Sequence, residues 1–239
     1  MLSKRAVLGM LTLSALLTAP CQGAENTVQK DIIWSQSDGL RQEIYSSSYQ
    51  AGAWTEPVKI TEDNANNLHP ALAVASDGSR WAFWSAVNPD GISIEYAIGK
   101  NGKWSEPIKL ELENLSSAIT PSVLIDKSGI VWLVWAGNDG GQDEIYCRRY
   151  TESAWQKPEL VNKANTVPDI KPKIVLNAQS VIEVRWEGVC NGKYVPLLSS
   201  YTGGHWSPEQ QVEQKQAEET KPELPAFIPK DSQYSLQVP

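Results

Sequence analysis

Cysteine and histidine are scarce here: three Cys and two His in 239 residues. That excludes a zinc-finger framework and argues against a His-rich metal centre. The two His, His69 before Pro70 and His205 before Trp206, fall on different turns and suggest no metal ligand set. Beyond residue 5 no extended run of Lys or Arg exists, so there is no basic stripe to follow phosphates. Nucleic acid, heparin-like polyanions and anionic membranes are poor partners for such a chain. No stretch reaches the 18 or so consecutive apolar residues of a membrane span. Phenylalanine and methionine number two each, against ten Trp, eight Tyr, 16 Gly and 15 Pro. A Trp- and Tyr-rich chain punctuated by Gly and Pro reads as all-β.

The first 24 residues read as a leader outside the fold. Lys4 and Arg5 precede an apolar stretch, Ala6 to Ala19, too short to cross a bilayer. Small residues suited to cleavage follow, after Gly23 or Ala24. The expectation is export to the periplasm or the extracellular space, in a compartment that permits disulfides. An alternative is lipid anchoring through Cys21, against which Pro20 stands where a small residue is wanted. Loss of Lys4 and Arg5 takes the net charge from −7 to −9. Cys147 and Cys190 remain, at non-equivalent positions that argue against a bridge between them.

Tryptophan reveals an internal repeat of about fifty residues. Trp34 and Trp54 are 20 apart, as are Trp84 and Trp104, Trp135 and Trp155, and Trp186 and Trp206. The leading Trp residues recur at intervals of 50, 51 and 51. Pro70, Pro121, Pro172 and Pro222 keep step at 51, 51 and 50. The repeats span 25–69, 70–120, 121–171 and 172–221, with a closing segment 222–239.

Each period has the grammar of four strands. A short apolar strand follows the proline, as in Ala71 to Val74 and Ser122 to Ile125. After a turn comes a nearly continuous apolar run, Trp81 to Trp84 or Ile130 to Trp135, suited to a strand buried on both faces. Asp38-Gly39, Asp90-Gly91, Asp139-Gly140 and Asn191-Gly192 are hairpin signals, because those residues accept positive φ. A third strand reads Glu43-Ile44-Tyr45, Ile94-Glu95-Tyr96 or Glu144-Ile145-Tyr146. The fourth opens with Trp-Thr-Glu-Pro at 54–57, Trp-Ser-Glu-Pro at 104–107 and Trp-Gln-Lys-Pro at 155–158. Proline and lysine there mark an outer edge strand.

Four-stranded units at this period predict an all-β β-propeller of about four four-stranded blades. A five-bladed or incomplete propeller is the alternative. The pattern of proline, strand, Gly-containing turn, strand ending in Trp, Glu-Ile-Tyr and then Trp-Ser-Glu-Pro resembles the BNR, or sialidase-like, repeat family over about residues 31–221. The resemblance implies a propeller fold and glycan chemistry. It also implies an Asp box between the third and fourth strands. The corresponding turns, such as Asn101-Gly102-Lys103-Trp104, keep the Trp and lack the box aspartate. Sialidase-like catalysis would further need clustered arginines, a Tyr–Glu pair and a proton-transferring Asp. Beyond the leader the chain has five Arg, at positions 41, 80, 148, 149 and 185, unrelated within the repeat. No catalytic set, metal site or cofactor is expected from these motifs.

Candidate ligand-binding residues lie on the loops between second and third strands: Asp38, Arg41, Asp90, Asp139, Asp143 and Asn191. They serve equally as turn formers and solvated charge. Trp34, Trp84, Trp135 and Trp186 end the preceding strands and read as core, or as a sugar-stacking platform where an edge is exposed. Asp31 and Glu183 replace Trp81 and Trp132 in repeats one and four, and Arg185 joins Glu183 on one strand face. In a closed ring these three are expected to meet at one seam, with Arg185 between the carboxylates. Closure is expected from Pro222 to Phe227, as the missing first strand of repeat one. The function this points to is an exported, non-catalytic module binding a glycan or protein ligand, monomeric or weakly oligomeric. A minimal sialidase-like glycosidase and a structural subunit of an envelope assembly are the alternatives.

Overall fold

The computed structural model describes residues 29–112, 115–213 and 222–238, so the expected leader and Cys21 lie outside the described residues. Every regular element among the described residues is a β-strand. Repeat one contributes β1 (Lys30–Ser37), β2 (Gln42–Gln50), β3 (Ala53–Trp54) and β4 (Val58–Lys59). Repeat two contributes β5 (Asn66–Val74), β6 (Arg80–Asn88), β7 (Gly91–Lys100), β8 (Lys103–Trp104) and β9 (Ile108–Lys109). Repeat three follows with β10 (Ser117–Ile125), β11 (Val131–Asn138), β12 (Asp143–Thr151), β13 (Ala154–Trp155) and β14 (Glu159–Leu160). Repeat four holds β15 (Ile170–Leu176), β16 (Ile182–Cys190), β17 (Lys193–Thr202), β18 (His205–Trp206) and β19 (Gln210–Gln211). One further strand, β20 (Tyr234–Gln237), comes last. Strands within a repeat pair antiparallel in chain order, and a single parallel bridge, Ser117 to Ile92, joins repeats two and three.

The prolines act differently from the sequence expectation. The outer strand of each repeat is two short pieces, both paired to the third strand. The break between them contains Pro57, Pro107, Pro158 or Pro208, which has no N–H to donate to a ladder. The first strands of repeats two to four start before their proline and run through it. Their register shifts between Leu68 and Ala71, Ile119 and Ser122, and Ile170 and Lys173. At each bulge the residue before proline is left-handed: His69, Thr120 and Lys171 have φ of 52°, 55° and 54°. A bulge is where a strand tolerates a residue that cannot pair.

Strand pairing also corrects the alignment of the third strands. Trp34 faces Tyr45 and Trp135 faces Tyr146, but Trp84 faces Glu95. Ile44, Ile94 and Ile145 are therefore equivalent, and all three are fully buried. Glu43 and Glu144 correspond to Ser93, not to Ile94.

The missing first strand of repeat one is supplied by the C-terminus, but by β20 rather than Pro222 to Phe227. Ile32 pairs with Leu236 and Trp34 with Tyr234. Pro222, Pro225 and Pro229 bar the earlier segment from a ladder. It instead folds over the sheet, where Phe227 lies 5.6 Å from Trp34 and Ile228 is buried with Ile32 and Trp34.

The core lies between successive sheets. Trp34, Trp84, Trp135 and Trp186 are all buried in it, so they form packing and not a platform. Trp81 meets Tyr150 and Trp155 of repeat three, and Trp132 meets Tyr201 and Trp206 of repeat four. Equivalent positions thus face the following repeat each time. This overturns the expected seam cluster. Asp31 faces repeat two and pairs with Arg80 at 2.6 Å, while Arg185 pairs with Glu183 of its own strand at 3.0 Å. Side chains at one repeat position point the same way round, so Asp31 and Glu183 cannot meet across a boundary. Cys147 is buried, Cys190 exposed, and both thiols are free.

Candidate functional site

The hairpins between second and third strands are built by their own polar side chains. Asp38 Oδ1 accepts the backbone N–H of Leu40 and Arg41 at 2.9 and 3.1 Å. Those bonds, with Lys59 beside it, hold its carboxyl below the ordinary range. Arg41 Nη1 donates to Asp63 O and Asn64 Oδ1, pinning the next loop. Asp139 Oδ1 accepts from Gly141 N at 3.3 Å, and Asp143 Oδ1 from Asn138 Nδ2 at 3.1 Å. Asn191 occupies a left-handed turn position with φ of 51°. Five of the six candidates are therefore engaged in local turn architecture. No hydrogen bond or ion pair joins the six across repeats among the described residues.

Asp90 differs. Its exposed carboxylate has no hydrogen-bond partner among the described residues. It lies on the wall of a cavity of about 350 Å3, with Ser93, Lys109, Glu111, Ser116 and Ser117. The lining comes from the β6–β7 hairpin, strand β9 and the start of β10, so two repeats shape it. Hydroxyls, a lysine and two carboxylates around one cleft can exchange hydrogen bonds with a ligand rich in hydroxyl groups.

Behind the hairpins lies a set of carboxylates that the sequence reading missed. Glu144 accepts from Asn162 Nδ2 at 2.5 Å and from Asn165 N at 2.8 Å. Asp169 accepts from Trp186 Nε1 at 2.7 Å and from Asn162 Nδ2 and Asn165 Nδ2, both at 2.8 Å. Desolvation raises the pKa of both carboxyls. Repeat one repeats the theme, with buried Glu43 bonded to Thr61 and held 3.2 Å from Lys59. A signal existed in the sequence: Glu43 and Glu144 both immediately precede the buried isoleucine of the third strand. With 6% and 1% exposure, Glu144 and Asp169 are beyond the reach of a substrate, and donors already occupy them.

The five arginines among the described residues occupy separate environments. Arg41 holds a loop and Arg80 pairs with Asp31. Arg148 donates to Gln156 O and Glu111 O. Arg149 lies over Trp132 and Tyr201, 5.2 and 5.3 Å from the ring centroids. Arg185 pairs with Glu183. Two of them on adjacent residues of β12, Arg148 and Arg149, point to opposite faces, as alternation demands.

No protein-family model matches the chain. A xylosidase/arabinosidase of Butyrivibrio fibrisolvens is 30% identical over 93 residues, covering 38% of this chain and 17% of that enzyme. A Hadza microbial sialidase superposes with a TM-score of 0.59 at 10% identity, over 76% of this chain and 44% of its own. An endo-arabinase from Bacteroides thetaiotaomicron gives 0.52 at 14% identity, over 79% and 78%. The chain thus spans less than half of the sialidase and under a fifth of the xylosidase/arabinosidase. At these identities the likeness to solved structures carries the fold alone. It is a sialidase- and glycosidase-like β-propeller fold. No helix among the described residues is long and apolar enough to cross a membrane.

Proposed function

We propose that the chain is an exported glycan-binding module, built as four BNR-type blades and lacking glycosidase chemistry of its own. Proteins acting on glycans recur among its likenesses, which supports a glycan-related role. The observation that carries the binding reading is the unpartnered Asp90 carboxylate on a polar cleft shaped by two repeats. Binding without cleavage is supported by the dispersed arginines and by the inaccessibility of Glu144 and Asp169. Glycoside hydrolysis needs two carboxyls that flank the scissile bond. Here the buried pair is closed in by Asn162, Asn165 and Trp186. Pairing of β20 with β1 supports closure of the array by its own C-terminus.

Glycan-array screening of the purified protein tests the reading, repeated on Asp90→Ala. Hits that the variant loses are expected; an array without hits, or hits the variant leaves intact, would sink the assignment. Incubation with fluorogenic sialosides and arabinofuranosides is expected to release no fluorophore. Turnover of either would make the chain a glycosidase.

A further inference from the structure

The interface between repeats one and two is unlike the two that follow it. Between repeats two and three, Trp81 packs 5.0 Å from Tyr150; between three and four, Trp132 packs 4.9 Å from Tyr201. Strand register assigns the counterparts in the first interface. Trp81 and Trp132 become Asp31, and Tyr150 and Tyr201 become Gly99. The position of Val131 and Ile182 becomes Arg80. Two large rings are thus absent together, and a buried ion pair stands in their place. A close-packed interior does not leave such volume without consequence.

What remains is a cavity of about 300 Å3, lined by Asp31, Arg80, Ser46, Ser48, Thr55 and Trp104, among others. Arg80 Nε donates to Asp31 Oδ1 at 2.6 Å, and its side chain is 12% exposed. Among the described residues no other hydrogen bond reaches the guanidinium, so its two Nη groups are open. Solvent reaches both Nη groups through the cavity, and a planar fork is suited to two neighbouring oxygens. Trp104 is held in place by its indole N–H, which donates to Ser46 Oγ at 2.8 Å. It can adopt this place because Gly99 carries no side chain: a Cβ there would lie 2.9 Å from the indole. Asp31 already offsets Arg80, and Lys103 and Glu56 at the mouth offset each other. The cavity is therefore near-neutral, lined by both hydroxyls and apolar side chains, and large enough for one sugar ring.

We infer that this cavity is a second binding site, separate from the Asp90 cleft, for a single neutral sugar unit. A vicinal pair of hydroxyls would accept from the Arg80 Nη groups, with the apolar face of the ring against Trp104. This inference does not require the Asp90 cleft to bind anything.

The test is calorimetric titration of the whole chain with free neutral aldohexoses and aldopentoses, alongside acetate. At least one sugar is expected to bind saturably, and acetate is not. Arg80→Lys keeps a charge beside Asp31 but loses the fork, and is expected to weaken binding at least tenfold with little change in Tm. Glu56→Ala, at the exposed mouth, is a second variant that leaves the core intact and should weaken binding severalfold. Asp90→Ala should leave this binding unchanged, which separates the site from the one proposed above. The indole N–H resonance of Trp104, assigned by its loss in Trp104→Phe, should shift on saturation. Absence of saturable sugar binding, acetate binding in its place, sugar affinity untouched by both Arg80→Lys and Glu56→Ala, or an unmoved Trp104 resonance would each overturn the inference.

Discussion

The carboxyls of Glu144 and Asp169 share Asn162 and Asn165 as donors, and burial pushes both pKa values above the ordinary carboxylate range. A folded state that holds protons more tightly than the unfolded chain loses stability as the pH rises. That loss starts at the ordinary carboxylate value and is complete once the pH passes the raised folded values. Thermal unfolding at a series of pH values should show it, and Glu144→Gln should flatten the decline. The same variant costs about 1 kcal/mol at low pH, because the amide has one accepting oxygen and cannot serve both Asn162 Nδ2 and Asn165 N. The Asp31–Arg80 pair behaves differently. Both side chains are largely covered, so Asp31→Ala leaves the Arg80 guanidinium without its carboxylate partner. Urea denaturation should report a loss of about 3 kcal/mol. Replacing both residues together should cost less than the single change.

At the scale of the element, Gly188 and β20 are the positions where a small change has a large effect. A Cβ on Gly188 would run into Asp169 Oδ1 and the Leu197 side chain. Gly188→Ala should therefore cost about 2 kcal/mol and loosen the bond between Trp186 and Asp169. Deleting the chain from Tyr234 onward uncovers Ile32 and Trp34, which are 0% and 1% exposed, and leaves β1 an unpaired edge. A loss of about 4 kcal/mol is expected from the apolar area alone. That corresponds to a fall in Tm of roughly 8–16 °C for a chain of this size. An unchanged melting curve would show that β20 adds nothing to the sheet. The strands themselves were legible in the sequence, because Trp spacing and Asp-Gly hairpins are local signals. Less legible were the bulges at His69, Thr120 and Lys171. A proline reads as a strand's start when no partner strand is in view, whereas the ladder tolerates it mid-strand by inserting one residue.

At the scale of the whole molecule, one repeat makes three different interfaces. The first is polar and hollow, the second a stack of Trp81, Phe83, Tyr96 and Trp155, and the third adds Arg149 over Trp132 and Tyr201. The far face of repeat four carries Glu183, Arg185 and Glu187, with the Arg185 side chain 55% exposed. Sequence alone determined the repeat, its four strands and the identity of the eight paired tryptophans, since each rests on periodicity along the chain. It also singled out Asp31, Glu183 and Arg185 as exceptions. Where those exceptions point depends on which sheet follows which, and that only the tertiary structure decided. The same holds for Asp90, whose fellow candidates Asp38, Asp139 and Asp143 are bonded within their own turns and Arg41 to the next loop. It holds too for the shared donors of Glu144 and Asp169, 25 residues apart in the chain. Periodicity describes a residue relative to its own strand. Pairing, burial and cavity volume depend on a neighbouring strand far away in sequence, and no local pattern encodes that distance.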